Sequence, residues 1–326
     1  NVSTIILDEA DEILDLGFKV DLNSILSKLS KSTRISMFSA TLPKKIVNLA
    51  NKYQNKPLKI NISNKLTPHK DISYESYFIK NKDIENFIFN LIRFYLNKTI
   101  IIFCSTRNAV TRFHSRLHNR GVNAVALSGA LKQEERFKAL QSLKNGSCRV
   151  CIATDVASRG IDIIDLDVVI HADLPRNSEI LIHRSGRTGR AGKHGLSVII
   201  FSPNNVNSYK RIVEKAKILP KLKKNISIRN IEENENSQFL KKVSDLSKYK
   251  IDDKFVKELA DKYTSIDLAK SLVLLYKSNL APIEDVENIE FDFKNEYKKD
   301  KSKFSISNKN KKKSKRKKLK KYIKNK

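Results

Sequence analysis

Six short apolar runs punctuate the middle of this 326-residue chain, at 77–79, 99–104, 124–127, 150–153, 168–171 and 196–201, with helix-like spacing between them. Runs of this length, rich in Ile and Val at successive rather than alternate positions, describe strands covered on both faces. Strands of that kind joined through helices build a doubly wound parallel sheet, so the fold class is α/β. The same alternation opens the chain, with strands expected at 2–7, 34–38 and 58–62 and helices over 21–29 and from about 43 to 53. We therefore expect part of one parallel domain at 1–62 and a complete one at 76–217. Residues 63–75, with Asn64, Pro68, His69 and Asp71, follow neither period and read as a linker.

Past a closing helix at 206–217, residues 218–248 are polar and weakly patterned. Two amphipathic helices follow: Phe255, Val256, Leu259, Ala260 and Tyr263 share one face, as do Ile266, Ala269, Leu272, Val273 and Tyr276. Residues 218–290 are thus expected to form a polar linker and a small helical appendage, and 291–326 a disordered Lys-rich tail. Between 294 and 326, 17 of 33 residues are Lys or Arg against two acids, a density of like charge that opposes compaction.

The formal charge of +29 points to a polyanionic partner, because Lys and Arg that neutralise phosphates release condensed counterions. Lys, Asn and Ile are abundant together, so part of the basicity reflects codon usage. No apolar run approaches the ~20 residues of a membrane span. Cys104, Cys148 and Cys151 are too few for a disulfide framework and suit a reducing, cytoplasmic setting. Cys148 and Cys151 do read C-x-x-C, but they lie in a strand with no second pair and no clustered His, which argues against zinc or redox chemistry. His114 and His118 share a helix face without a third ligand, and Phe87, Phe89, Phe94 and Tyr95 fall on a helix expected to pack into the core.

Chemistry concentrates at strand ends. Asp8-Glu9-Ala10-Asp11 directly follows the first strand, where nucleotide sites form in parallel sheets. One carboxylate there can hold Mg²⁺ through water while its neighbour orients an attacking water. Ser39-Ala40-Thr41 ends the next strand. In the second domain, residues 153–162 run off a strand as Ala-Thr-Asp-Val-Ala-Ser-Arg-Gly-Ile-Asp, and 183–190 read His-Arg-Ser-Gly-Arg-Thr-Gly-Arg. Three arginines and two glycines in eight residues suit tight turning and bidentate grip on phosphate.

With DEAD, SAT, Ser105-Thr106-Arg107, Leu127-Ser128-Gly129 followed by Gln133-x-x-Arg136, ATDVASRGID and HRSGRTGR in order over residues 1–203, the chain resembles the DEAD-box family of ATP-dependent RNA helicases. DEAD paired with HRSGRTGR separates it from DEAH-type relatives. The wording around His171-Ala172-Asp173-Leu174-Pro175 and the basic C-terminal extension resemble bacterial members. The resemblance implies two RecA-like domains, the first partial here, that close on ATP and RNA. Asp8 would hold Mg²⁺ through water and Glu9 would activate the hydrolytic water. Arg187 and Arg190 match the arginine fingers. Asp11, Ser39, Thr41, Arg159 and His183 would couple the domains, and Gly160 and Asp162 would meet the nucleotide. Arg107, Gly129, Arg136, Thr154 and Asp155 match positions that contact RNA sugar and phosphate, which position a strand without reading sequence.

The resemblance also has a gap. No G-x-x-x-x-G-K-[ST] loop occurs in these residues, nor the adenine-reading glutamine motif, and the chain enters a strand straight after Asn1. The natural start is expected upstream, and the chain alone is expected not to hydrolyse ATP. The contrasting expectation is a non-enzymatic RNA-binding or annealing module. For the tail, RNA anchoring in ribosomal or messenger RNA complexes is weighed against an inert solvated extension.

Overall fold

A computed structural model describes residues 2–15, 17–30, 32–39, 44–60, 70–129, 131–155, 166–190, 192–249 and 253–291. The chain divides into two compact units, Asn1–Lys65 and Leu66–Lys326.

In the first unit, strands β1 (Thr4–Leu7) and β2 (Arg34–Met37) pair in parallel, Leu7 opposite Met37. Helices α1 (Ala10–Asp15), α2 (Lys19–Ser27) and α3 (Lys44–Tyr53) complete it. Leu7, Ala10, Leu14, Leu22, Leu26, Ile46 and Leu49 form its core. The strand expected at 58–62 does not form over 58–60, where Leu58 and Ile60 are exposed, and 61–62 lie outside the described residues. A short apolar run becomes a strand only where a neighbour pairs with it, and here none of the described residues does.

The second unit is a seven-stranded, all-parallel sheet. Its strands are β3 (Ile72–Phe78), β4 (Ile100–Phe103), β5 (Ala124–Leu127), β6 (Val150–Ala153), β7 (Val168–His171), β8 (Gly195–Phe201) and β9 (Lys221–Lys223). They lie in the order β5-β6-β4-β7-β8-β3-β9. Alternate residues serve opposite faces. Ile100, Ile102, Val150, Ile152, Val168 and Ile170 pack with Phe87, Leu91, Phe113 and Leu117 of α4 (Ile84–Phe94) and α5 (Arg107–Asn119). Ile101, Phe103, Cys151, Ala153 and Val169 pack on the other side with Leu143 of α6 (Gln133–Lys144). On that side too, Ile199 and Phe201 meet Leu181 of α7 (Ser178–Ser185) and Tyr209 and Ile212 of α8 (Val206–Ala216). Phe87 and Phe89 are core residues, the three cysteines are buried and unpaired, and His114 Nε2 lies 2.9 Å from the Ala124 carbonyl oxygen.

Three features depart from the expectation. β3 begins at Ile72, inside the expected linker; its polar residues hid it, yet Ser76 is fully buried because Tyr209 Oη bonds its hydroxyl at 2.9 Å. The segment read as weakly patterned carries β9 and a 19-residue helix, α9 (Ile228–Leu246). That helix buries Glu235 against Arg93, with Nη2 to Oε2 at 3.0 Å, and Asn234 donates to the Phe94 carbonyl at 2.6 Å. After α10 (Lys254–Lys262) and α11 (Ser265–Ser278), residues 281–291 run without helix or strand back over the domain. Asn90 holds this strap by pairing with both backbone groups of Glu284 at 2.8 and 2.9 Å, Val286 enters the core, and the Phe291 ring lies 4.6 Å from that of Phe78. The basic tail from 292 onward lies outside the described residues.

Candidate functional site

In the first unit the turns after β1 and β2 are tied together. Phe38 N–H donates to Leu7 O at 2.7 Å and Ala10 N–H to Phe38 O at 3.0 Å. Asp8 and Glu9 are thereby held at the carboxyl end of the sheet, with Ser39 after the neighbouring strand and Asp11 in the first turn of α1. Glu9 has φ of +48°, a left-handed conformation that costs about 1 kcal/mol for a side-chain-bearing residue, and its N–H donates to Asp8 Oδ1 at 2.9 Å. Ala10 is fully buried, so the turn has no room for a larger side chain there. The Asp8 side chain stays exposed. Thr41 lies outside the described residues.

In the second unit the register sets four strand ends level: Leu127 faces Ala153, and Phe103 faces both Ala153 and His171. Cys104 N–H donates to Ala153 O at 2.9 Å, Thr154 N–H to Leu127 O at 3.2 Å, Ala172 N–H to Phe103 O at 3.1 Å and Ser105 N–H to Asp173 Oδ2 at 2.8 Å. Thr106 caps α5 by accepting from Ala109 N–H at 3.1 Å, which places Arg107 on the helix's first turn. The Arg107 guanidinium lies over Gly129, where a Cβ would stand 3.2 Å from Nη2. Thr154 is buried beside it, and half-buried Arg136 sits in the first turns of α6, which leaves the same edge. The five residues expected to contact RNA are therefore gathered on one sheet edge.

Arg184 went unassigned in the sequence, one arginine among several in its motif, and only burial reveals what it does. Its side chain is 2% exposed, bonds Asp155 through Nε and through Nη2 (2.8 Å to Oδ2), donates from Nη1 to Asp173 O at 3.1 Å, and sits 5.1 Å from the Phe103 ring centroid. The Asp155 carboxylate is thus engaged, which leaves the backbone as the part of residue 155 able to meet a phosphate.

Asn177 caps α7 by accepting from Ile180 N–H at 2.8 Å. One turn on, His183 Nε2 lies 2.6 Å from Arg187 Nη2; since guanidinium only donates, the imidazole nitrogen is the acceptor in this contact. Arg190 Nε donates to Gly186 O at 2.8 Å. The glycines of this turn serve packing. Gly189 has φ of +66°, and a Cβ there would stand 2.6 Å from Ile72 Cγ1; at Gly195 a Cβ would stand 2.4 Å from Gly189 N. The turn carrying Arg187 and Arg190 is therefore clamped onto the sheet. Arg159, Gly160 and Asp162 lie outside the described residues.

Beneath α7, His171 is fully buried, with Nε2 3.0 Å from Ser197 Oγ, which in turn lies 2.9 Å from Ser185 Oγ. Burial, reinforced by the Arg184 charge, holds its pKa well below the ordinary imidazole value. Above the unfolded value, about 6.5, the ring is neutral in both states; below it the unfolded chain takes up a proton that the folded chain refuses. The free energy of unfolding is accordingly expected to fall by about 1.4 kcal/mol for each pH unit below that value, until the folded pKa is reached. In urea titrations His171→Gln should flatten the slope by one proton's worth; an unchanged slope would place the pH dependence elsewhere.

Residues 1–49 match the family described as DEAD/DEAH box helicase, and residues 80–192 that described as helicase conserved C-terminal domain. The chain belongs to the DEAD-box helicase family. ATP-dependent RNA helicase DDX47 of Drosophila melanogaster is 35% identical over 211 residues, 65% of this chain and 42% of the relative. DEAD-box ATP-dependent RNA helicase RhpA of Helicobacter pylori is 37% identical over 199 residues, 61% of this chain and 40% of its own length. The chain thus spans about two fifths of the length of these curated relatives. Bacterial and eukaryotic DEAD-box proteins match at similar identity, so identity does not assign the chain to either. Among solved structures, S. cerevisiae Dbp5 bound to RNA and ADP BeF3 superposes with a TM-score of 0.62 at 26% identity, over 68% of this chain and 59% of that one. The α/β architecture is that of the RecA-like helicase domains.

Proposed function

We propose that this chain supplies the DEAD segment and the second RecA-like domain of an ATP-dependent RNA helicase that couples ATP hydrolysis to local duplex opening or RNA–protein remodelling. The observation that carries the reading is the carboxyl edge of the seven-stranded sheet. Arg107, Gly129, Arg136, Thr154 and residue 155 would follow the RNA backbone there, and Arg187 and Arg190 sit on a clamped turn suited to charge developing on a transferring phosphoryl group. The neighbour bound to RNA and ADP BeF3 supports both ligands. In the first unit, Glu9 would orient or deprotonate the attacking water. Exposed Asp8 fits a magnesium ion held through water, since that ion takes one or two carboxylates and keeps several waters; it would neutralise phosphate charge. Backbone contacts give little sequence preference, and the basic tail would add salt-sensitive affinity in ribosomal or messenger RNA complexes. A cytoplasmic setting accords with three unpaired, buried cysteines.

A second reading is a non-enzymatic RNA-binding or annealing module, for which the sheet edge carrying Arg107, Gly129 and Thr154 would suffice without nucleotide turnover. RNA-stimulated phosphate release separates the two. This chain alone should give none, whereas the same residues joined behind a DEAD-box half-domain carrying G-x-x-x-x-G-K-[ST] should turn over ATP. Tight RNA binding without turnover by the joined protein would favour the binding module.

A further inference from the structure

The helices α10 and α11 are well formed locally yet lightly packed. Asp253 caps the first by accepting from Phe255 N–H at 2.9 Å, and Thr264 caps the second by accepting from Asp267 N–H at 3.2 Å. Neither helix contains a buried residue. Phe255, Ile266, Leu274 and Leu275 are 60 to 68% exposed, and Leu272 is 47% exposed within four consecutive apolar residues. α11 touches α9 through Tyr276, whose ring lies 4.5 Å from that of Phe239. Helices of nine and fourteen residues owe most of their stability to a buried face, and among the described residues these two are covered only in part, with no residue of either buried.

Three occupants can be weighed. The Lys-rich tail has 17 basic residues in 33 and little apolar surface to offer. RNA does not fit, because residues 253–280 carry five basic against four acidic side chains, in contrast to the strongly basic remainder. A second copy fits on both counts. Eight large apolar side chains in this stretch are at least 36% exposed. At roughly 100 Å² each they expose about 800 Å² in total, and since successive residues 272–275 point to different sides of α11, the part that one face presents is on the scale of the few-hundred-Å² patches that mark interaction sites. A two-fold axis would set this patch against itself, with the mixed Lys, Asp and Glu rim self-complementary. We propose that α10 and α11 form a homodimer interface, by which two helicase chains with their basic tails act on the same RNA.

Charge supplies a discriminating sign. Two chains of +29 repel, and salt screens that repulsion, so apolar self-association should hold or tighten as salt rises. Association bridged by RNA should weaken instead. The test is sedimentation equilibrium of the nuclease-treated full chain at micromolar concentration in low and high salt. The expected mass is twice 37.4 kDa in both. Leu272→Glu with Leu275→Glu should weaken the dimer at least about 100-fold with helicity unchanged, since both positions are on the surface. Phe137→Glu, at a comparably exposed apolar position on α6, should leave the mass at twice 37.4 kDa. A wild-type monomer in both salts, an association lost as salt rises, or a dimer untouched by the double substitution overturns the proposal.

Discussion

Arg190→Ala, in the chain joined to a phosphate-loop half-domain, is expected to lower RNA-stimulated phosphate release by about 10³- to 10⁵-fold, with single-stranded RNA affinity largely kept. The reason lies in the turn after α7. Thr188 Oγ1 donates to the carbonyls of Leu166 and Asp167, and the backbone at Gly189 packs on Ile72 and Gly195, so the arginines are carried on a support that does not yield. A charge placed in advance costs no reorganisation when the transition state forms, which is why a single donor can matter so much. Arg187→Lys provides the companion test, because it keeps the charge and removes the planar fork. If Arg190→Ala retained most of the turnover, the finger assignment would be wrong, and the turn would have to be read as structural.

The second large effect concerns stability. Arg184→Met should destabilise the second unit by about 3 kcal/mol, the range for breaking a buried ion pair by removing one partner, discounted because Asp155 keeps some solvent. Met retains much of the volume against Phe103, so the loss reports the charge pair more than a cavity. Asp155→Asn should cost less, and the double substitution less than the sum of the two, with a coupling of at least about 1 kcal/mol. Strict additivity in urea titrations would sink the bracket. The loops at Asp155 and Asp173 both hang on Arg184, so RNA affinity should fall with Arg184→Met although that side chain is too buried to reach a phosphate itself.

What was legible in the sequence follows the solvent-exclusion pattern. β4, β6 and β7 are apolar at nearly every position because both faces are covered, and that leaves an unbroken mark. Their ends mark where the chain leaves the sheet, so the placement of DEAD, of Ser105-Thr106-Arg107 and of Thr154-Asp155 at strand ends followed directly. The elements that went unread are those whose buried groups are polar. β3 buries Ser76 against Tyr209, α9 buries Glu235 against Arg93, and the strap is held by Asn90 on the backbone of Glu284. Each pair is far apart in sequence, and nothing local announces it.

By itself the sequence determined the α/β class, the family, and which residues could carry phosphoryl and RNA chemistry, since strand periodicity and motif order are local properties. Only the tertiary structure decided that Asp155 is engaged by Arg184, that Gly189 and Gly195 serve packing, and that α10 and α11 are left with partly covered apolar faces. These depend on which side chains meet across the fold, and a buried hydrogen bond or an unpartnered surface exists only once distant segments have been brought together.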